Sequence, residues 1–251
     1  AGVSRPASGR IGRCFAAVTT ERKPLIEVKN ATKIYTRGSK IAAVAGLSVQ
    51  FTAGEFTAIA GPSGSGKSTL LNIIGTIDQP TKGEVLYEGR VVSRLSPEDA
   101  AEFRLRNLGF IFQAYNLIPV LTAVENVEYP LVLQGADRAH RRRRALEGLD
   151  PGGSAALADR RPSDLAGGQQ QRVAVARAIV HTPLVVLADE PTANLDSKTG
   201  AALLDLMQAL NREKGVTFLF SSHDPAVLSR AARVLHMHDG RLADPGEAKK
   251  N

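Results

Sequence analysis

A chain of 251 residues that is 43% hydrophobic has the material for one large core, which sets aside a disordered or low-complexity polypeptide. Its one cysteine, Cys14, leaves no internal disulfide to form and suits a reducing compartment, and no stretch approaches the ~18 uninterrupted apolar residues of a membrane-spanning helix. A net charge of +7 favours an anionic partner, whether nucleotide, nucleic acid or lipid headgroup, without choosing among them.

Residues 1–24 carry Arg5, Arg10 and Arg13, no acid before Glu21 and no periodicity, so they are expected to be a tail. Their Ser- and Arg-rich, acid-poor makeup fits an organelle transit segment, plastid or mitochondrial, or an unstructured extension. Strands are expected at 25–30, around 43–52 and at 55–61, followed by a helix from Lys67 to about Ile74. "GEVLYEGR" (83–90) reads as a hairpin turned at Glu88-Gly89. Ser96 caps a helix opened by Pro97, and "LGFIFQ" (108–113) is a buried strand. Thr122 and Glu125 form a capping box for a helix over 123–134, and 136–149 is a basic helix whose "RRRR" (141–144) reads as a solvated face. A helix from about Gln169 to Val180 follows two adjacent glycines, Gly167 and Gly168, which a helix would not choose. The continuous apolar runs "PLVVLADE" (183–190) and "VTFLFSSH" (216–223) suit parallel strands covered on both faces. Between them lies a helix capped by Asp196 or Ser197 and stopped by Gly215, and near the end Asp239-Gly240 marks a tight hairpin. Strands alternating with helices imply an α/β doubly wound core, with the mainly helical 95–170 stretch as a separate lobe.

The loop "GPSGSGKST" stands between an expected strand and an expected helix. Its residues, Gly61, Pro62, Ser63, Gly64, Ser65, Gly66, Lys67, Ser68 and Thr69, match the P-loop spacing. Glycines let backbone N–H groups close on phosphate oxygens, and the helix N-terminus adds partial positive charge. Lys67 is the candidate for the β- and γ-phosphates, Ser68 for Mg²⁺ and Thr69 for the α-phosphate. Asp189 and Glu190 end an apolar strand, where open α/β sheets bind ligands. Asp189 is the expected anchor of the Mg²⁺ shell and Glu190 the general base for the attacking water.

Motif by motif, residues 25–244 resemble the ATP-binding cassette (ABC) ATPases, the nucleotide-binding subunits of ABC transporters. Gly61 to Thr69 is similar to the Walker A loop, "LVVLADE" to Walker B, and Gln113 to the Q-loop glutamine. "LAGGQQQR" resembles the signature loop, "ANLD" (193–196) the D-loop and His223 the switch histidine. The resemblance implies a P-loop NTPase core with an N-terminal antiparallel β subdomain, a helical signature subdomain and a short tail at 245–251. It implies ATP and Mg²⁺ as cofactors, with Ser68, Gln113 and Asp189 about the metal, Tyr35 stacked on adenine, and Lys67, Gln113, Glu190 and His223 as the catalytic set. Two copies, or a paired relative, would join head to tail, so that Ala166, Gly167, Gly168, Gln169 and Asp196 of one cover the ATP of the other. Ala166 departs from the pattern, because the family usually carries a serine whose hydroxyl reaches the γ-phosphate. Its loss should cost roughly 1.5–3 kcal/mol of closed-dimer stability and give weak intrinsic ATPase activity.

"FIFQAYNLIPVLTAVENVEYPL" (110–131) is similar to the lobe of the lipoprotein-releasing, macrolide-efflux and cell-division ATPases, which faces a membrane subunit. The chain contains no permease segment, so a separate permease is expected, holding this subunit at the cytoplasmic face of a membrane, or at an organelle membrane if residues 1–24 are a transit remnant. The leading expectation is a transport ATPase of the export or lipoprotein-extraction type. The alternative is a nucleotide-gated scaffold of the cell-division type. Chromosome and repair ATPases of this fold need a long coiled-coil excursion, and only about fifty residues without heptads separate Gln113 from the signature. No nucleic acid partner is therefore expected.

Overall fold

The computed structural model describes residues 23–37, 39–151 and 153–243, so the expected tail up to residue 22, with Cys14, and the segment 245–251 lie outside the described residues. Two long strands come first, β1 (Ile26–Arg37) and β2 (Ser39–Phe51), then β3 (Phe56–Ala60), buried along its whole length. The loop 61–66 leads into helix α1 (Lys67–Ile74). Strands β4 (Lys82–Tyr87) and β5 (Arg90–Val91) are joined through Glu88 and Gly89 at φ 50° and 84°, the two-residue turn that Gly89 makes possible. Helix α2 (Pro97–Asn107) begins where the Ser96 hydroxyl accepts the Asp99 N–H at 3.1 Å. It runs into β6 (Leu108–Ile111), and α3 (Ala123–Leu133) carries the reciprocal Thr122–Glu125 capping box. Then come α4 (Arg138–Leu149), capped by Asp137, α5 (Gly167–Ile179) and β7 (Val185–Asp189). The long α6 (Ser197–Lys214), capped by Asp196 and stopped by Gly215 at φ 66°, leads to β8 (Thr217–Ser222). A short α7 (Pro225–Leu228) and the hairpin of β9 (Arg233–His238) and β10 (Arg241–Ala243) end the described chain.

Three of these elements differ from expectation. β1 runs to Arg37 rather than ending near residue 30, because it is bonded to β2 on one side and β4 on the other, which its polar residues do not advertise. α5 starts at Gly167, not Gln169: the glycines form its first turn, where propensity matters least because those N–H groups have no helical acceptor. The basic run of α4 is not a free solvated face. Arg141 and Arg142 both bond Glu128 of α3, a side chain only 10% exposed, Arg142 also reaches Asp159, and Arg144 donates to the Val180 carbonyl at 3.1 Å. Arg143 pairs with Glu147 at 3.7 Å. The run staples the helical lobe together.

The strands form an antiparallel four-stranded sheet, β2-β1-β4-β5, and a six-stranded sheet, β10-β9-β3-β8-β7-β6, parallel except at β10. β6 lies within 95–170 yet forms the edge of the larger sheet beside β7, so the helical excursion leaves after β6 and returns through α5. One core layer, with Ile26, Phe51, Leu70 and Leu219, joins the small sheet to α1 and the large sheet. The opposite face of the large sheet packs Phe56, Phe218 and Phe220 against Leu203 and Met207 of α6. Burying each such side chain contributes roughly 1.5–3 kcal/mol, so two covered faces explain why β7 and β8 have no polar alternation. A third cluster, with Val127, Leu149 and Val173, holds the lobe on α5.

Candidate nucleotide site

The parallel strands end in register: Ala60 lies beside Ser222, Ser221 beside Asp189, and Ala188 beside Ile111. The residues just past these ends, Gly61, Glu190, His223 and, two beyond Ile111, Gln113, therefore gather at one edge of the sheet. Glu190, His223 and Gln113 line a cleft of about 630 Å³ with Ala43, Lys67, Ser68, Thr69 and Asp189. Gly66 holds the turn into α1 at φ 101°, and a Cβ there would overlap the Ala43 carbonyl, so only glycine fits. The N–H groups of Lys67, Ser68 and Thr69 find no acceptor among the described residues, as the first turn of a helix requires.

Lys67 is buried, and its ammonium donates to the carbonyls of Gly61 at 2.8 Å and Pro62 at 3.0 Å. It forms no ion pair with a carboxylate among the described residues. A buried cation with neutral partners only, beside unused N–H donors, is built for an anion. Ser68 Oγ donates to Asp189 Oδ1 at 3.0 Å, and the Ser221 hydroxyl donates to that same oxygen at 2.6 Å. These hard oxygens at the cleft edge suit Mg²⁺, which takes one or two protein ligands and completes its shell with phosphate and water.

Glu190 stands at φ 46°, a strained backbone for a non-glycine residue, held by its N–H donating to Ser221 Oγ at 2.9 Å. Its carboxylate accepts from His223 Nδ1 at 2.9 Å, and since a carboxylate can only accept, Nδ1 carries the hydrogen. Gln113 exchanges amide bonds with Asn194: the Asn194 side chain donates to the Gln113 carbonyl at 2.9 Å, and Gln113 Nε2 reaches Asn194 Oδ1 at 3.4 Å. Sequence alone does not single out Ser221, and it places Asn194 only within the 193–196 stretch. Only strand register singles out Ser221, and only the fold brings Asn194 to Gln113.

Tyr35 is 39% exposed near Thr69, with its hydroxyl donating to Asp78 Oδ2 at 2.8 Å and the Lys33 ammonium 5.2 Å from its ring centroid. Burial, reinforced by Asp78, pushes its phenol up. Burial also pushes the Asp78 carboxyl up, but the bonds from Lys33 and Tyr35, the Lys33 charge and the Gln79 N–H together hold it below its ordinary range.

The signature residues lie elsewhere. Ala166, Gly167, Gly168 and Gln169 share a second pocket, about 370 Å³, with Arg172, Asn194, Asp196 and Thr199, and none of these residues lines the first cleft. Gln169 Oε1 accepts the Ala166 N–H at 2.9 Å, but Ala166 has no oxygen to return the bond, so the cap is half made. The N–H groups of Gly167 and Gly168 find no acceptor among the described residues. A Cβ on Gly168 would overlap the Thr199 methyl, and one on Gly167 would come within 2.8 Å of the Tyr115 hydroxyl, so both glycines have a reason inside this chain. Thr199 cannot turn away cheaply, because its hydroxyl bonds Asp196 at 2.6 Å. Asp196 caps α6, and the Thr199 hydroxyl, then the Thr199 and Lys198 N–H groups, hold its carboxyl below the ordinary range.

The ABC transporter family matches over residues 44–193. The chain is 45% identical over 221 residues to the ABC transporter ATP-binding protein MJ1508 of Methanocaldococcus jannaschii, covering 88% of this chain and 98% of that one. It is 46% identical over 225 residues to the macrolide export ATP-binding/permease protein MacB of Wolinella succinogenes, covering 88% of this chain but 34% of that larger protein. Among solved structures, a dimer of the ATP-binding cassette MJ0796 in a post-hydrolysis state with ADP and Pi superposes with a TM-score of 0.81 at 43% identity, over 87% of this chain and 97% of that one. This chain belongs to the ABC transporter family and is one of its ATP-binding, ATP-hydrolysing subunits.

Proposed function

We propose that two copies of this chain close head to tail over two ATP molecules and that closure and hydrolysis drive a separate membrane permease in the export direction. One observation carries the reading: the chain has two separate pockets with unused backbone donors, the cleft at Lys67 and the pocket at Gly167 and Gly168, and only the first has a phosphate-binding lysine. The second pocket then serves the nucleotide of another copy. The cassette dimer of MJ0796 and the export name of MacB support the same reading.

Within each site Lys67 and the N–H groups of 67–69 hold the β- and γ-phosphates, and Tyr35 stacks on the adenine. Ser68, Asp189 and Gln113 hold Mg²⁺, which neutralises charge on the phosphates when bound. Glu190 takes a proton from the attacking water while His223, fixed through Nδ1, keeps Nε2 for the γ-phosphate. Residues 25–244 act as one cassette, with the lobe after β6 facing the permease. An apolar groove of about 360 Å³ between α2 and α3, lined by Ala101, Leu105, Phe110, Tyr129 and Leu133 and bordering the chain after Gln113, offers a seat for a permease segment. Among the described residues no helix is long and apolar enough to cross a membrane, and the subunit is held at the cytoplasmic face through that partner.

The test is the mass of Glu190→Gln in solution with ATP, with Glu190→Gln/Lys67→Ala as the control. An ATP-dependent dimer, lost in the double variant, is expected. A protein that binds ATP and stays monomeric at every concentration refutes the shared site.

A further inference from the structure

Tyr35 is a half-exposed side chain at the end of a hairpin, yet it is not free to choose among rotamers. Its hydroxyl is fixed by Asp78 at 2.8 Å, and the same carboxylate accepts from the Lys33 ammonium, which also donates to the Gln79 carbonyl at 2.8 Å and lies over the Tyr35 ring. The Lys33 side chain is only 15% exposed, so this cation is drawn in against the ring rather than solvated. With one face of the ring held by an ammonium, the other is left for a flat ligand.

Asp78 is itself rigidly placed. Its N–H and that of Ile77 both donate to the Asn72 carbonyl, at 3.1 and 2.9 Å, folding the turn back on the last part of α1. The same turn is stitched to β1 where the Thr81 N–H donates to the Thr32 carbonyl at 2.7 Å and the Ile34 N–H donates to Thr81 Oγ1 at 3.1 Å. α1 opens at the phosphate-binding loop, so one helix carries both the phosphate donors and the anchor of the aromatic ring.

We propose that Asp78, with Lys33, is a positioning residue for the nucleobase: by gripping the Tyr35 hydroxyl from a turn fixed to α1, it sets the ring at the right distance from the phosphate loop before nucleotide arrives. The inference rests on the reading that Tyr35 stacks on the base. Its physical content is preorganisation, since a ring already held in one rotamer loses less conformational freedom on binding.

The experiment compares the dissociation constants of Mg-ATP and of Mg-tripolyphosphate, which has no base, by calorimetry on the wild type, Asp78→Ala, Tyr35→Phe, Tyr35→Ala and Tyr35→Ala/Asp78→Ala. Asp78→Ala and Tyr35→Phe should each weaken ATP about three- to tenfold, the net worth of one ordinary hydrogen bond, and leave tripolyphosphate unchanged. In the Tyr35→Ala background Asp78→Ala should add nothing. Tyr35→Phe keeps the ring and removes only the anchor, so it decides the matter even if Asp78→Ala does not fold. The inference is overturned if Tyr35→Phe binds ATP like the wild type, if Asp78→Ala weakens tripolyphosphate equally, or if the two effects add. Unchanged ATP binding by Tyr35→Ala would instead remove the stacking reading and this inference with it.

Discussion

Ala166→Ser separates two jobs that a serine at the start of α5 could do. Ala166 is the N-cap at φ −65° and ψ 155°, close to Ser96 and Thr122, whose hydroxyls accept the N–H three residues on at 3.1 and 3.4 Å. A serine at 166 would reach the Gln169 N–H in the same way, but that group already donates to the Ala166 carbonyl at 2.8 Å, so the cap gains only about 0.5 kcal/mol, the low end for such substitutions. In a domain of this size that raises the melting temperature by about 1–2 °C. The hydroxyl hydrogen stays free and points from a site flanked by the unused Gly167 and Gly168 N–H groups. A bond from it to a triphosphate on the second copy is worth about 1.5–3 kcal/mol, or ten- to a hundredfold tighter closure. The assay is ATP-dependent dimerisation of Glu190→Gln with and without Ala166→Ser, by sedimentation, beside the turnover of the single Ala166→Ser variant. A higher melting temperature with unchanged dimerisation and turnover would show the serine acting only as a cap and refute the phosphate contact.

Gly168→Ala should abolish ATP-dependent dimerisation through overlap with Thr199, and Thr199→Ser, which removes the offending methyl, should restore part of it in the double variant; no recovery assigns the glycine wholly to the partner's nucleotide. Glu128→Gln leaves Arg141 and Arg142 facing a neutral amide, and because both arginines can still turn to water the loss should be about 1–2 kcal/mol in a denaturant titration, with ATP binding unchanged. An unaltered unfolding midpoint would return the arginine run to the role of a solvated face. The Asp196 carboxyl is depressed in the folded state, so it stabilises α6 above its unfolded pKa and that contribution is lost as pH falls through the folded value. Asp196→Asn should therefore flatten the acid limb of the stability profile while keeping the cap, and an identical limb would contradict the assignment.

Local physics was legible where it acts over three or four residues. Ser96, Thr122 with Glu125, and Asp196 announce helix starts because each satisfies an N–H within its own turn, and Gly215 and Gly89 announce stops and turns because other residues avoid positive φ. The same short range hid the beginning of α5. Gly167 and Gly168 look like helix breakers by propensity, yet a Cβ on Gly168 would meet Thr199, some thirty residues on, and one on Gly167 would crowd Tyr115, some fifty residues back. The arginine run misled for the complementary reason: only Glu147 lies within a helical turn of it in sequence, and Glu128 and Asp159 meet it only after α3 and α4 pack.

The catalytic end of the sheet shows how far this limit reaches. Ser221 and Ser222 are identical neighbours on β8, both buried, and no sequence pattern ranks one above the other. The parallel register places Asp189 opposite Ser221, so the hydroxyl of Ser221 donates to Asp189 at 2.6 Å and accepts the Glu190 N–H at 2.9 Å, while Ser222 turns away and accepts the Asp224 N–H at 3.1 Å. A slip of one residue would set Ser222 or Phe220 opposite Asp189 and carry Phe218 and Phe220 to the other face of the sheet. What fixes the register is the buried apolar layer in which Phe218 and Phe220, on alternate positions of β8, lie beside Val186 and Ala188 of β7. The aim of the carboxylate proposed to activate water is thus set by apolar residues on the far face of the sheet, outside the nucleotide cleft.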